Sequence, residues 1–377
     1  MKRIYLDNNA TTRPDPKVIE AVANCLESVW GNASSLHSFG QEARRVVDSA
    51  RAQAARLIGT GSESIIFTSG GTEANNLAVE GTVRSTNKRH VITSAIEHQS
   101  VMHPCRRLED QGYDVTYVSV DGDGVVDAAE AIASMREDTA LVTIMLANND
   151  TGVVQPVAAI AKAAKERGIT IHTDAVQAAG KMPIDVEELG VDLLSFSGHK
   201  ISGPKGAGVL YVRKGTPVVP VQIGGHQERM IRSGTENVPG IAGLGIACKL
   251  AVEQIEAYMN RVGALRNRFE RGILNTIEGT KLNGHPALRL ANTSNIIFKG
   301  VSAEMLAMNL DLMGLAVSTG SACTAGDRDP SHVLLAMGLT EAEALCSIRF
   351  SLGNDSTDDD IEHAIGIVQK TVQKMRQ

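Results

Sequence analysis

Lys200 lies in the segment Ser195 to Val212, SFSGHKISGPKGAGVLYV, where a short apolar strand runs into a Ser/His/Lys cluster, then glycines, then a second strand. The pattern places the lysine at a strand end, away from the solvated helix faces where most lysines sit. Asp174 closes another apolar run, IHTDAVQAAGK, with Gln177 one turn later. In an open α/β sheet, ligands bind at the carboxyl ends of the strands. A lysine able to form a Schiff base and a carboxylate able to pair with a pyridine nitrogen, brought to one crevice, are what pyridoxal phosphate requires. The plainer alternative is a surface turn whose Lys200 and Lys205 are simply solvated.

FTSGGTEANN carries a strand through Gly70 and Gly71 into a helix opening at Thr72, a place where backbone amides and the helix dipole can cradle a phosphate. It lacks the Lys-Ser/Thr ending of a P-loop and the spacing of GxGxxG, which counts against nucleoside triphosphates and dinucleotides. His98, in SAIEHQSV, follows the strand His90 to Ser94 and can pack, lie on a cofactor face or carry a proton. Asn149, in ANNDTG, belongs to the same sheet edge, as a ligand or as an Asx turn before Gly152. Arg349 alternates with apolar residues in CSIRFSLG, where a charge needs a partner: a structural carboxylate or a bidentate substrate carboxylate. Cys323, in STGSACTAGDRDPSHVL, has almost no apolar neighbours and is followed by Pro330, a setting for an accessible nucleophilic thiol. Cys25, Cys105, Cys248 and Cys346 lie in apolar patterns and read as small buried hydrophobes.

The elements that must hold these residues are legible as an alternation. From Glu63 to Val212, short β-branched runs alternate with helical patterns, predicting a seven-stranded, mostly parallel sheet wrapped by helices. The expected strands are Ser64–Thr68, His90–Ser94, Asp114–Ser119, Ala140–Leu146, Thr170–Thr173, Asp192–Ser197 and Ala207–Val212. Helices are expected at Pro16–Trp30, Gln41–Ile58, Glu73–Arg84, Ser100–Gln111, Asp127–Arg136 and Val157–Arg167, the last stopped by Gly168. A Pro- and Gly-punctuated connector then leads to a long helix near Ile241–Ile277 and a smaller α+β unit. That unit has strands at Asn295–Phe298, Leu315–Ser318 and Ser347–Leu352, a helix at Ser302–Met313 and a last helix opening at Thr357.

The 377 residues suggest about two domains at roughly 150 residues each. Hydrophobic residues at 43% and charged residues at 21% are globular values that argue against disorder and coiled coil. A formal charge of -6 without basic runs argues against direct nucleic-acid binding. Five widely spaced cysteines, with no CxxC pair, argue against a disulfide framework or structural zinc. With no secretory signal and no run of ~18 apolar residues, a reducing cytoplasm and no membrane association are expected.

Taken in order, YLDNNATT, TSGGTEANN, EHQS, NNDTG, HTDAVQAAGK, SGHKISGPKGAGVLYV, RSGTENV, STGSACT and IRFSLG resemble the NifS/IscS-type cysteine desulfurases, pyridoxal phosphate enzymes of the class V aminotransferase group. The resemblance runs nearly end to end. It implies an aspartate aminotransferase-like fold (pyridoxal phosphate fold type I), with a large domain over 15–255 and a small one built from 1–14 and 256–377 that carries the Cys323 loop. It also implies that Lys200 holds pyridoxal 5'-phosphate as a Schiff base, Asp174 pairs with the pyridine nitrogen, Gln177 contacts the ring oxygen and His98 stacks on the ring. Gly71, Thr72, Ser197 and His199 would bind the phosphate, joined by Thr235 from the partner subunit of a homodimer. Asn149 would touch cofactor and substrate, and Arg349 would bind the substrate carboxylate. Cys323 would take sulfur from L-cysteine as a persulfide, leaving L-alanine. The sulfur would pass to an iron-sulfur scaffold protein, or to another acceptor in tRNA or cofactor thiolation. No metal site is implied, beyond Cys323 serving in principle as a cluster ligand. Another pyridoxal enzyme of the same fold, such as a selenocysteine lyase or aminotransferase, is the nearest alternative, and a non-catalytic binding partner is the more distant one. The long loop from Cys323 to Pro330 resembles that of members that carry sulfur outward, while the stop at Gln377 lacks a longer scaffold-docking tail.

Overall fold

The computed structural model describes residues 2–319 and 329–377. In chain order the strands are β1 (Ile4–Tyr5), β2 (Ile65–Thr68), β3 (His90–Ser94), β4 (Asp114–Val118), β5 (Thr139–Thr143), β6 (Thr170–Asp174), β7 (Leu193–Ser197), β8 (Gly208–Val212), β9 (Thr280–Asn283), β10 (Thr293–Phe298), β11 (Leu315–Ala316), β12 (Ser318–Thr319) and β13 (Ser347–Ser351). The helices are α1 (Pro16–Ser28), α2 (Ser38–Leu57), α3 (Gly71–Val83), α4 (Gln99–Asp110), α5 (Ala128–Ala133), α6 (Val157–Glu166), α7 (Val186–Leu189), α8 (Val238–Leu274), α9 (Ala303–Leu312), α10 (His332–Ala336), α11 (Glu341–Ala344) and α12 (Asp358–Met375).

Strands that are apolar on both faces have to be covered on both faces, and β3, β5, β7 and β8 are buried at every position. They lie inside a seven-stranded sheet of order β2-β8-β7-β6-β5-β3-β4. Neighbours are parallel except where β8 runs antiparallel to both β2 and β7. All seven expected strands are present, and the α/β class with a mostly parallel sheet holds. The fourth of them, β5, ends at Thr143, three residues early, although Leu146 N still reaches Asp174 O at 2.9 Å. The second helix opens at Ser38 because the His37 ring accepts from Gly40 N and caps it.

The second sheet, β12-β13-β10-β9, is antiparallel. Its β9, TKLN, has no apolar run to announce it, so pattern reading passes over it. The expected strand Leu315–Ser318 divides: β11 pairs with β1, and β12 pairs with β13. The last helix starts as expected, with a capping box between Thr357 and Asp360.

Helix α8 serves two apolar clusters. Val238, Ile241, Leu244 and Cys248 join the core around the large sheet, together with Val333, Leu334 and Met337. Tyr258, Val262, Leu265, Phe269 and Ile273 join a second core with Ile4, Leu6, Phe298 and Phe350. By length and composition alone α8 could cross a membrane, at a mean hydropathy of 1.3 over its most apolar window. Lys249 and Glu253 interrupt its apolar stretch. Half of that window is buried inside the protein, as befits a helix shared by two cores.

Phe350 is fully buried, its ring centroid 4.7 Å from that of Phe269 and 6.3 Å from that of Phe298. Replacing it with alanine opens a large cavity beside Arg349, and a loss of about 3–5 kcal/mol is expected. Urea denaturation would measure it, and a loss under about 1 kcal/mol would refute the packing described.

Candidate active site

The chain runs from β5 through β6 to β7 in one direction across the sheet, and from β3 to β4 in the other, so the order reverses between β5 and β3. A crevice opens at the carboxyl ends there. His98 follows β3 and caps α4, Asn149 follows β5, Asp174 ends β6, and Lys200 closes a short 3-10 turn after β7. Because β8 is antiparallel to both β2 and β7, the end of β2 and the start of α3 reach the same edge.

At that edge the backbone passes where side chains would not fit. A Cβ on Gly71 would stand 2.7 Å from Val176 Cγ2 and 3.7 Å from Ser197 Cβ, and one on Gly208 would stand 2.6 Å from Gly70 Cα. Close approach, more than turn geometry, demands glycine here. Gly70 offers α3 no side-chain cap, so the N-terminal amides of a 13-residue helix face the edge beside the buried Ser197. Thr72 is exposed in the first turn.

Asn9 ties several expected residues together, and sequence reading assigned it nothing. Its backbone oxygen accepts from Lys200 Nζ and, at 3.0 Å, from Gln177 Nε2. Its Nδ2 donates to Asn149 O at 3.0 Å and Thr293 Oγ1 at 2.9 Å. Lys200 Nζ also donates to Ala10 O at 2.8 Å. Lys181 is a second lysine on this hub, 2.8 Å from Gln177 Oε1 and 3.4 Å from Asn9 Oδ1. Burial, with Lys200 and Arg349 nearby, holds its amine well below the usual lysine range. The two lysines share a cavity of about 40 Å³ with Asn8, Thr12 and Ser202, room for a few waters only.

Asp174 is buried, with Oδ1 accepting from Val176 N at 2.9 Å and Oδ2 from Asn75 Nδ2 at 2.7 Å. Burial lowers the pKa of His98, against the pull of Asp174. His199 bonds Thr11 Oγ1 through Nδ1 at 3.1 Å, and burial with Lys200 beside it lowers its pKa to about 4, so its ring is neutral at physiological pH.

Arg349 is held by carboxylates of the chain itself: Nη2 lies 2.9 Å from Asp7 Oδ1 and Nη1 lies 3.3 Å from Asp150 Oδ1 and from Asn149 O. The structural carboxylate that sequence reading allowed is present, twice, and Nε is buried with no partner among the described residues. Thr235 is exposed and makes no hydrogen bond to a described residue. Cys323 lies outside the described residues. Both described flanks of its segment stand at the site, since Ser318 is paired with Arg349 and Ser331 Oγ donates to Asp150 Oδ2 at 2.6 Å. Cys25, Cys105 and Cys248 are buried as expected, and Cys346 is partly buried. Burial pushes the Cys105 thiol up to about 12 and raises those of Cys25 and Cys248 as well.

Glu97, beside His98, is fully buried, with Oε1 accepting from Ser94 Oγ at 2.6 Å and Met145 N at 2.9 Å. Burial raises its pKa from 4.5 to about 8. Between those values the folded protein keeps a proton that the unfolded chain has lost, so rising pH through this window costs stability, on the order of 5 kcal/mol in all. Glu97→Gln is expected to flatten the fall in urea-unfolding free energy across that window; an unchanged slope would show that Glu97 ionises normally.

A family model described as aminotransferase class-V matches residues 4–363. The chain is 48% identical over 377 residues to a cysteine desulfurase of Trichormus azollae, covering 100% of this chain and 94% of that protein. A solved structure of a NifS-like protein superposes with a TM-score of 0.93 at 37% identity, covering 99% of this chain and 100% of that one. A structure of SspA in complex with cysteine superposes at 0.82, also at 37% identity, covering 92% and 98%.

Proposed function

The chain belongs to the aminotransferase class-V family, and we propose that within it the chain is a pyridoxal 5'-phosphate-dependent cysteine desulfurase, taking sulfur from L-cysteine onto Cys323 and releasing L-alanine. The observation that carries the reading is the convergence of Lys200, Asp174 and His98 on one sheet edge with the N-terminus of α3. This donor set fits the cofactor. The uncapped amides at Gly71 and Thr72, with Ser197 and His199, would hold the phosphate; Asp174 would face the pyridine nitrogen; Gln177 would meet the ring oxygen; Lys200 would hold the aldehyde carbon. The buried, unpartnered Asn75 Oδ1 and Arg349 Nε are polar atoms of the kind a bound ligand satisfies.

Bound pyridoxal phosphate supplies an electron sink for the bond broken at the substrate α-carbon. The chain's own residues do the rest. Arg349, fixed by Asp7 and Asp150, has two N–H donors left, on Nε and Nη2, for the substrate carboxylate, and the Asn149 backbone oxygen supports it. Once freed as an amine, Lys200 Nζ takes the α-proton. The Cys323 thiolate attacks the substrate sulfur; the carbon–sulfur bond breaks, its electron pair stays on carbon and is protonated, and the enzyme keeps a persulfide.

The same reading includes a homodimer in which Thr235 reaches the partner's phosphate site, a cytoplasmic location, and delivery of sulfur to an iron-sulfur scaffold or another acceptor. The division into 15–255 and 1–14 with 256–377 belongs to it too, supported by the two apolar clusters that meet along α8, with 332–344 leaning on the larger. Incubating the protein with the cofactor, L-cysteine and a thiol reductant is expected to yield alanine and sulfide in equal amounts. A keto acid without sulfide would point to an aminotransferase.

A further inference from the structure

Asn75 lies inside α3, buried, and its amide nitrogen has two neighbours: Asp174 Oδ2 at 2.7 Å and Ser100 Oγ at 2.8 Å. Only the NH2 end of the amide can stand that close to a carboxylate oxygen, so the orientation follows from the contacts, and both amide hydrogens are used. Ser100 Oγ thus accepts from Asn75, and its own hydrogen is left for His98 Nδ1 at 2.7 Å. The backbone N–H of Ser100 points at the same ring nitrogen, at 3.1 Å. Two donors on Nδ1 make it an acceptor, which places the proton of the neutral ring on Nε2.

We propose that Asn75 is a positioning residue that, through Ser100, locks His98 in its Nε2–H tautomer and at the same time holds the Asp174 carboxylate. This deepens the reading given above, since it says how a cofactor-stacking His98 would act: as a hydrogen-bond donor through Nε2, with Nδ1 already occupied and unable to take a proton without breaking the cap of α4. A hydrogen-bond relay of one amide and one hydroxyl then couples the carboxylate that would face the pyridine nitrogen to the ring that would stack on the cofactor.

The test inverts the relay. In Asn75→Asp, the new carboxylate accepts from the Ser100 hydroxyl, so Ser100 Oγ turns acceptor toward His98. Nitrogen-15 spectra of histidine-labelled full-length protein, as purified and after cofactor removal, report the tautomer directly. His98 is assigned by the signal missing in His98→Gln. The wild type is expected to show Nε2–H alone and Asn75→Asp an added Nδ1–H population, reached by releasing the Ser100 backbone N–H that caps α4. Asn75→Asp/Ser100→Ala should return to Nε2–H, because the hydroxyl that carries the effect is gone. Asn75→Ala, which adds no charge, should show a mixture and decides alone if Asn75→Asp does not fold. A wild type with Nδ1–H, or Nε2–H unchanged in the folded variants at position 75, overturns the proposal. The readout needs no turnover, so the expected tautomers together with a wild type that yields no sulfide would sink the desulfurase reading and leave the relay standing.

Discussion

Cys323→Ala is expected to stop both sulfide and alanine release from L-cysteine, a fall on the order of 10³-fold or more, while the bound cofactor's spectrum and the unfolding midpoint stay put. The size of the effect follows from the other cysteines. Of the other four, Cys25, Cys105 and Cys248 are buried, and burial holds their thiols protonated, so none of these three can replace a lost thiolate; Cys346 is partly buried just ahead of β13. An attacking sulfur also cannot be imitated by an oxygen of far lower thiolate-like reactivity, so Cys323→Ser should behave as the alanine variant does. Mass spectrometry of wild-type protein stopped during turnover should find the Cys323 peptide heavier by one sulfur atom. Full sulfide release by Cys323→Ala would remove the persulfide step and favour a lyase.

Lys200→Ala is the second large loss expected, at least about 10²–10⁴-fold in alanine formation, because the same amine both anchors the cofactor and moves the α-proton. Two lysines meet at Asn9, and their surroundings decide between them. Lys181 is fully buried against Gln177, whereas Lys200 is half-buried at the strand end, held by the backbone oxygens of Asn9 and Ala10. Borohydride treatment of the cofactor-loaded wild type should fix the cofactor to the Lys200 peptide, and treatment of Lys200→Ala should fix it nowhere. Label on Lys181 in either protein would move the anchor to that residue.

Much of the fold could be read locally. Buried strands are short apolar or β-branched runs stopped by polar or glycine turns, and β2, β3, β5 and β8 follow that rule, whereas β4 is largely unburied and β7, LLSFS, is apolar without a β-branched residue. The short β9 and the division of Leu315–Ser318 between two sheets do not follow it, because a two- to four-residue strand has too little pattern and takes its partner from elsewhere. Lys200, Asp174 and His98 were likewise visible, since a polar residue ending an apolar run marks a strand's carboxyl end.

By itself, then, the order of residues determined which chemistry-bearing side chains come to the sheet edge, because strand and turn signals act over a few residues. Only the tertiary structure decided which of them touch. Arg349 finds Asp7 and Asp150 across 342 and 199 positions, Lys200 finds Asn9 across 191, and Asn75 finds Asp174 across 99. No local periodicity encodes such pairs. They form because a buried charge or amide must find a partner wherever packing brings one, and that is settled only when the two cores close on each other.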